Sequence, residues 1–309
     1  MTGARTAADW SAYWRGRGGA GEAFAGEGVE QHPALRAHWD GVFAGGEGAV
    51  LDLACGAGSV LRRAHAAGLA PLLGADVSAD ALALLAEAVP GARTVLCSAD
   101  AVPLADGGFG LVASQFGFEY AGPRAPAEMA RLVAPGGQLA ALVHHAGGAI
   151  EQEVARHAGV ARAVSETGFV EAADRLIRAE FAARSGDAGD LGAARAGFAG
   201  PERGLAALAR ATPGGLAAHL HGGYRQLYQR RAAYALSDVT GWLDGMKAEL
   251  SAYEGRMATM RAAAKDRDGM DAVARALVAG GLADVRAEPF ALPGDAAPLA
   301  WSLRARRPG

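Results

Sequence analysis

Short apolar runs, each closing on a glycine or an acid, recur through the first half of the chain. Val50–Leu53 leads into Ala54-Cys55-Gly56-Ala57-Gly58, and a helix is predicted to begin near Ser59. Leu72-Leu73-Gly74-Ala75 closes on Asp76, and Thr94–Cys97 is followed by Ser98-Ala99-Asp100. A fourth strand, Gly110–Ser114, comes after the turn residues Asp106-Gly107-Gly108. One helix ends at Leu132, Pro135-Gly136-Gly137 is predicted as a turn, and a fifth strand runs through Val143. Ahead of these, Pro33–Phe43 reads as a helix.

The second half has a different rhythm. Residues 146–268 read as helical, with breaks expected at Gly186–Gly192, Gly197–Gly204 and Pro213-Gly214-Gly215. A block this long exceeds an ordinary connection between a strand and a helix. It must pack on itself, on the sheet or on another subunit. Within it Leu243, Met246, Leu250, Tyr253, Met257 and Met260 recur in alternating three- and four-residue steps, the seam of a packed helix. A neighbour in the same chain is the favoured partner for that seam, and a homodimer contact is the sharper alternative. Met270–Ala279 is then predicted as a helix stopped by Gly280-Gly281, followed by strands at Ala283–Pro289 and Leu299–Arg304.

The chemistry sits at the ends of the strands. Gly56 and Gly58 remove side chains where the backbone turns sharply and lets a ligand approach its peptide groups. A helix starting at Ser59 offers unpaired N–H groups to polar or anionic atoms. Asp76 follows at the interval at which a βαβ unit brings a carboxylate to a ribose hydroxyl pair. Polar residues at the C-terminal ends of successive strands mark the edge where open α/β sheets bind ligands.

These residues resemble the class I S-adenosylmethionine-dependent methyltransferases. The likeness rests on V-L-D-L-A-C-G-A-G at 50–58, G-A-D at 74–76, S-A-D-A at 98–101, F-G-L-V-A-S-Q at 109–115 and L-V-A-P-G-G at 132–137. It spans roughly residues 45–145 of the chain. The resemblance implies an α/β, Rossmann-like seven-stranded mostly parallel sheet with helices on both faces. The long helical block would then be a cap, or an interface, inserted between strands 5 and 6. The implied parts are an N-terminal helical lid (1–45), a cofactor-binding core (46–145), the insertion (146–268), and a final helix and hairpin (269–309).

For the cofactor S-adenosylmethionine, and its product S-adenosylhomocysteine, the resemblance implies a binding set carried over position by position. Ala54, Gly56 and Gly58 would lie against its methionine and ribose parts, and Asp52 would help hold the methionine amino end. Asp76, with Val77, would take the ribose hydroxyls, and Asp100 the adenine amino group, with the Ala101 N–H reading the ring. Ser114 and Gln115 would border the methionine chain and the transferred methyl. A dinucleotide site wants a third glycine for close helix packing, and Leu61 stands there, which makes NAD a distant second.

The acceptor side carries no recognised motif. Phe116, Glu119 and Tyr120 stand where family members place substrate-facing residues, and Glu119 suits a cationic group. Oxygen nucleophiles often need a base, and His144 and His145 are the candidates, with His145 slightly preferred as lying nearer the loop. Strand alternation keeps both from pointing into one pocket. A hydrogen-bonded structural histidine explains either equally well. Arg15, Arg17 and Arg36 are candidates for the cofactor carboxylate. Trp10, Tyr13 and Trp14 read as packing a helix onto the sheet, with a cofactor lid as the alternative.

Composition narrows the reading. The chain has 309 residues, a formal net charge of −3 and two cysteines. Near-neutral charge without a basic run argues against a nucleic-acid substrate, and no apolar stretch approaches membrane-spanning length. Two cysteines make no disulfide framework, cluster or metal site. The expectation is a cytoplasmic enzyme methylating an oxygen or nitrogen of a small-molecule acceptor. The rivals are a methyltransferase of RNA or protein, and a non-catalytic S-adenosylmethionine-binding protein.

Overall fold

The computed structural model describes residues 10–15 and 32–309. Residues 10–15 form a helical turn, α1. The glycine-rich stretch around Arg17–Gly28, with Arg17 itself, lies outside the described residues. Then come α2 (Pro33–Phe43), β1 (Val50–Leu53), α3 (Ser59–Ala66), β2 (Leu72–Asp76), α4 (Ala79–Ala88), β3 (Arg93–Leu96), β4 (Phe109–Gln115), α5 (Ala125–Leu132) and β5 (Val133–His144). Five helices follow: α6 (Ala149–Glu166), α7 (Phe169–Arg184), α8 (Leu191–Ala211), α9 (Leu216–Gln229) and α10 (Leu236–Ala263). The chain closes with α11 (Arg267–Ala279), β6 (Ala283–Phe290) and β7 (Ala300–Arg306).

The strands build one seven-stranded sheet in the order β3-β2-β1-β4-β5-β7-β6. Pairings among β1 to β5 are parallel, and β7 runs antiparallel to both β5 and β6. The chain moves outward from β1 through β2 to β3, then returns to lay β4 on the other side of β1. That reversal puts a topological switch point between the C-terminal ends of β1 and β4, where such sheets open a ligand crevice.

Helices cover both faces. On one, Met129 and Leu132 of α5 and Val273 and Leu277 of α11 join Leu51, Leu53, Val112 and Leu139 in a buried core. On the other, Leu61 of α3 and Leu85 of α4 are fully buried and press on β2 at Gly74, where a side chain would strike both. Each such buried leucine contributes roughly 1.5–3 kcal/mol.

Two local predictions are corrected. Pro135-Gly136-Gly137 does not stand as a turn before β5; it lies inside the strand. Gly136 takes a positive φ of 75°, and the register against β4 shifts between Phe109 and Leu111, so an irregularity absorbs the turn residues. Gly197–Gly204 does not interrupt the helical block, because α8 runs through it with Pro201 inside. Leu205 is fully buried and Phe198 packs on the same core, which offsets the helix cost of glycine and proline.

The chain divides into two compact units. One runs through Glu153 and resumes at Thr259; the other is Val154–Ala258. The second has its own core, including Phe169, Ile177, Leu205, Leu220, Val239 and Leu243. Leu243 and Leu250 of the predicted seam are buried there, with Met246 and Tyr253 packed against them, so that stretch is occupied by its own chain. Among the described residues no helix is long and apolar enough to cross a membrane.

Candidate active site

β1 ends on a loop built from left-handed residues: Ala54 (φ 54°), Gly56 (φ 51°) and Gly58 (φ 84°). A Cβ on Gly56 would sit 2.6 Å from the indole of Trp14, and one on Gly58 would run into Leu85. Gly58 precedes α3 without a side-chain cap, so no side chain occupies the first amides of that helix. Asp76 secures the loop from β2. Its Oδ2 accepts from the Gly56 N–H at 2.9 Å, and its Oδ1 accepts from the Ser78 N–H at 2.9 Å. Burial raises the Asp76 carboxyl above its ordinary pKa, and the amides of Gly56, Ser78 and Val77 oppose that shift.

Asp52 is the unusual member of this group. It is 1% exposed, and neither carboxylate oxygen has a hydrogen-bond partner among the described residues. Burial first, and the neighbouring Asp76 second, push it well above the ordinary aspartate range. Asp100, after β3, is different: Ser98 donates to it at 2.6 Å and Arg124 at 2.7 Å, and these bonds hold its pKa low. The Ala101 N–H closes a turn on the Ser98 carbonyl at 3.1 Å.

The turn after β4 forms the opposite wall of the crevice. The Ser114 hydroxyl donates to the Leu53 carbonyl at 2.7 Å and accepts from the Phe118 N–H at 3.2 Å, fastening the turn to β1. Gln115 accepts from the Trp39 indole at 2.6 Å and donates to Ser59 at 3.3 Å, tying α2 to the start of α3. Phe116 has a left-handed φ of 55°, a costly conformation for a bulky residue. Gly117 packs so closely on Ala54 that a Cβ there would lie 2.5 Å from the alanine methyl.

This turn delivers Glu119 beneath the end of β5. Glu119 Oε1 accepts from the His144 backbone N–H at 3.0 Å and sits 2.7 Å from His144 Nδ1. The imidazole lies 4.8 Å from the Phe116 ring and 5.6 Å from the Tyr120 ring, centre to centre. Burial, with the Glu119 charge as a lesser cause, raises the Tyr120 hydroxyl well above its usual pKa. His145 lies elsewhere: its Nδ1 is 2.6 Å from the Ala146 carbonyl, and its ring stacks on Trp301 at 4.4 Å. Of the two histidines, His144 is therefore the one joined to the substrate-facing candidates Phe116, Glu119 and Tyr120.

α1 lies over this edge. Trp14 packs on Ala57 and Ala81, Ser11 bonds Ser78 at 3.1 Å, and Trp10 meets the Tyr120 ring edge-on at 5.3 Å. Arg15 pairs with Asp80 at 3.7 Å. Sequence spacing had no signal for the Glu119–His144 link, because the two residues come from separate elements. The aromatic cluster Trp10/Tyr13/Trp14 was the one hint that α1 would dock here.

Residues 50–137 match the model of a methyltransferase domain. Residues 50–137 thus carry a methyltransferase domain. No curated protein matches the chain. Among solved structures it is similar to an S-adenosylmethionine-dependent methyltransferase from Mesorhizobium loti, at 28% identity over 35% of this chain and 54% of that one, TM-score 0.32. The YcgJ protein of Bacillus subtilis matches at 19% identity over 43% of this chain and 59% of that one, TM-score 0.36. A geranyl diphosphate C-methyltransferase from Streptomyces coelicolor A3(2) matches at 16% identity over 44% and 63%, TM-score 0.36. The chain thus spans about half to two thirds of the length of these solved structures. In the methyltransferase domain the matched segment holds β1 to β4, α5 and the opening of β5, and with them the glycine loop and all three aspartates.

Proposed function

We propose that the protein is an S-adenosylmethionine-dependent methyltransferase that methylates an oxygen or nitrogen of a small-molecule acceptor. The observation that carries the reading is Asp52: a buried carboxylate with no hydrogen-bond partner among the described residues, beside a glycine loop at the switch point of the sheet. A buried polar group is normally hydrogen-bonded, so Asp52 marks the place of a missing donor. The amino end of the cofactor's methionine part fits that need. Gly56, Gly58 and Ala54 would flank the cofactor, Asp76 and Val77 its ribose, and Asp100 and Ala101 its adenine. Ser114 and Gln115 shape the wall beside them.

When bound, S-adenosylmethionine supplies a methyl group already activated on a sulfonium sulfur. What remains for this chain is to align the acceptor, keep water out and leave the nucleophile a free lone pair. Phe116 and Tyr120 would flank the acceptor, with His144, or His145 at the loop, as the base. Residues 146–268 are proposed as a cap for the acceptor on chain position alone, since they follow the C-terminal end of β5.

The test is calorimetric titration with S-adenosylmethionine, S-adenosylhomocysteine and NAD in parallel. One-site binding of the first two without NAD is expected. Asp100→Ala should then weaken binding by about 1–3 kcal/mol without touching the fold. Asp76→Ala should lose as much and also lower the melting temperature, because it frees the Gly56 and Ser78 amides. Wild-type binding by both variants would remove the cofactor assignment.

A further inference from the structure

We propose that the helical unit Val154–Ala258 carries a small-molecule site of its own, a cleft between α8 and α9 that takes a flat aromatic carboxylate. The inference goes beyond the methyltransferase reading and does not depend on it.

Helical spacing builds the cleft. Arg195, Phe198 and Glu202 recur at three- and four-residue steps on α8, so they share one face of that helix. His221, Tyr224 and Tyr228 do the same on α9, with Arg225 beside them. Where the two faces meet they line an open cleft of about 260 Å³, at the small end of ligand sites. Residues of the helical unit alone line it, so it is complete within that unit.

The floor of the cleft is aromatic. The Tyr224 ring lies 5.5 Å from that of Phe198 and 5.8 Å from that of Tyr228, stacked on the latter. Phe169 supports the floor, meeting Tyr224 edge-on at 5.2 Å. Rings held this way offer a flat apolar surface to another ring. The two carboxylates nearby are already engaged. Glu180 accepts from the Tyr228 hydroxyl and from Arg195, each at 2.8 Å, and its other oxygen faces Arg231 at 3.5 Å. Glu202 lies 3.0 Å from His221 Nε2.

Two donors are left over. Arg225 makes no ion pair or hydrogen bond among the described residues. Tyr224 is 2% exposed, and its hydroxyl has no hydrogen-bond partner among the described residues either. A buried hydroxyl normally has one. One free cation and one stranded donor thus border an aromatic floor, which suits an acceptor with a single negative charge on a flat apolar body. A carboxylate on an aromatic ring meets both needs, because it only accepts and can pair with both arms of a guanidinium. A cationic ligand would meet Arg195 and Arg225 with both carboxylates taken.

Calorimetric titration of the full chain with 2-naphthoate, its neutral amide 2-naphthamide and inorganic phosphate tests the site. One-site binding of 2-naphthoate is expected, with the amide weaker by about tenfold or more for want of the charge-assisted bonds and phosphate silent. Arg225→Gln should weaken 2-naphthoate binding by about tenfold, and Tyr224→Phe should weaken it several-fold. Arg225 is exposed, so its variant should fold as the wild type does. Tyr224→Phe removes a stranded buried hydroxyl, so the ligand-free variant should melt at the wild-type temperature or above it. A lower melting temperature would show that the hydroxyl is already satisfied and would overturn its role as a ligand donor. Equal binding of naphthoate and naphthamide would refute the charge, and phosphate binding as tightly as naphthoate would reduce the cleft to a plain anion site. Naphthoate binding unchanged in both variants would place the ligand elsewhere, and no binding by the wild type would overturn the proposal outright.

Discussion

At the scale of single residues, the site stores instability that a ligand can relieve. Asp52 is buried with no hydrogen-bond partner among the described residues and Asp76 is buried beside it, so in the ligand-free protein the described residues leave one charge uncompensated. A carboxyl whose folded pKa lies above its unfolded value binds more protons when folded. Its contribution is therefore intact at low pH and is lost as pH rises from about 4 through the folded pKa. Asp52→Asn removes that loss. It should raise the stability of the ligand-free protein at pH 7.5 by about 1–3 kcal/mol, with the gain shrinking toward pH 4, while weakening S-adenosylmethionine binding. Melting curves at several pH values, wild type against variant, read this directly. His38 works in the opposite sense: burial, then Arg304, lower it to about 4, so folding weakens as pH falls from 6.5 toward that value. It is common to both proteins and cancels in the difference. A variant no more stable than wild type at pH 7.5 would mean that Asp52 is not a charge under strain.

At the scale of elements, the turn after β4 shows how tightly the crevice is built. Gly117 meets Ala54 so closely that a methyl group would lie 2.5 Å from its Cβ and 2.8 Å from its carbonyl oxygen. The second of these is backbone and cannot swing away. Gly117→Ala should therefore cost about 1–3 kcal/mol and weaken cofactor binding, since the displaced loop carries Gly56 and Gly58. Gly41, within α2, has nothing within 4 Å of its would-be Cβ, so Gly41→Ala should be neutral or gain about 0.5–1 kcal/mol. Denaturant melts of the two variants separate the cases; equal effects would mean that the close approach is not a constraint. Neither distance is legible in the sequence. What is legible is local: an apolar run, a glycine loop and an acid at strand ends place β1, α3 and β2 because each signal lies within a few residues of its element. Pro135-Gly136-Gly137 and Gly197–Gly204 misled because tertiary packing decided them, through the pairing of β5 in one case and the burial of Leu205 in the other. The Glu119–His144 bond was invisible for a related reason. It joins positions 25 residues apart whose meeting depends on the whole β4–β5 pairing.

At the scale of the molecule, each of the two units buries its own apolar core: one organised by the sheet, the other by α7, α8, α9 and the middle of α10. The cofactor-site candidates belong entirely to the first. Cores that share no cluster are expected to melt as separate cooperative steps, and a ligand stabilises only the unit whose folded form binds it. Scanning calorimetry should then show two overlapping transitions. S-adenosylhomocysteine at about 100 times its dissociation constant adds roughly 2.7 kcal/mol to the unit that binds it. For a unit of this size that raises its midpoint by roughly 2–4 °C for each kcal/mol. The transition of Val154–Ala258 should stay in place. If instead a single transition moves as one, the helical unit is energetically coupled to the cofactor site, and deleting it would disturb binding as well as acceptor turnover. An unmoved pair of transitions at saturating ligand would contradict the cofactor assignment itself.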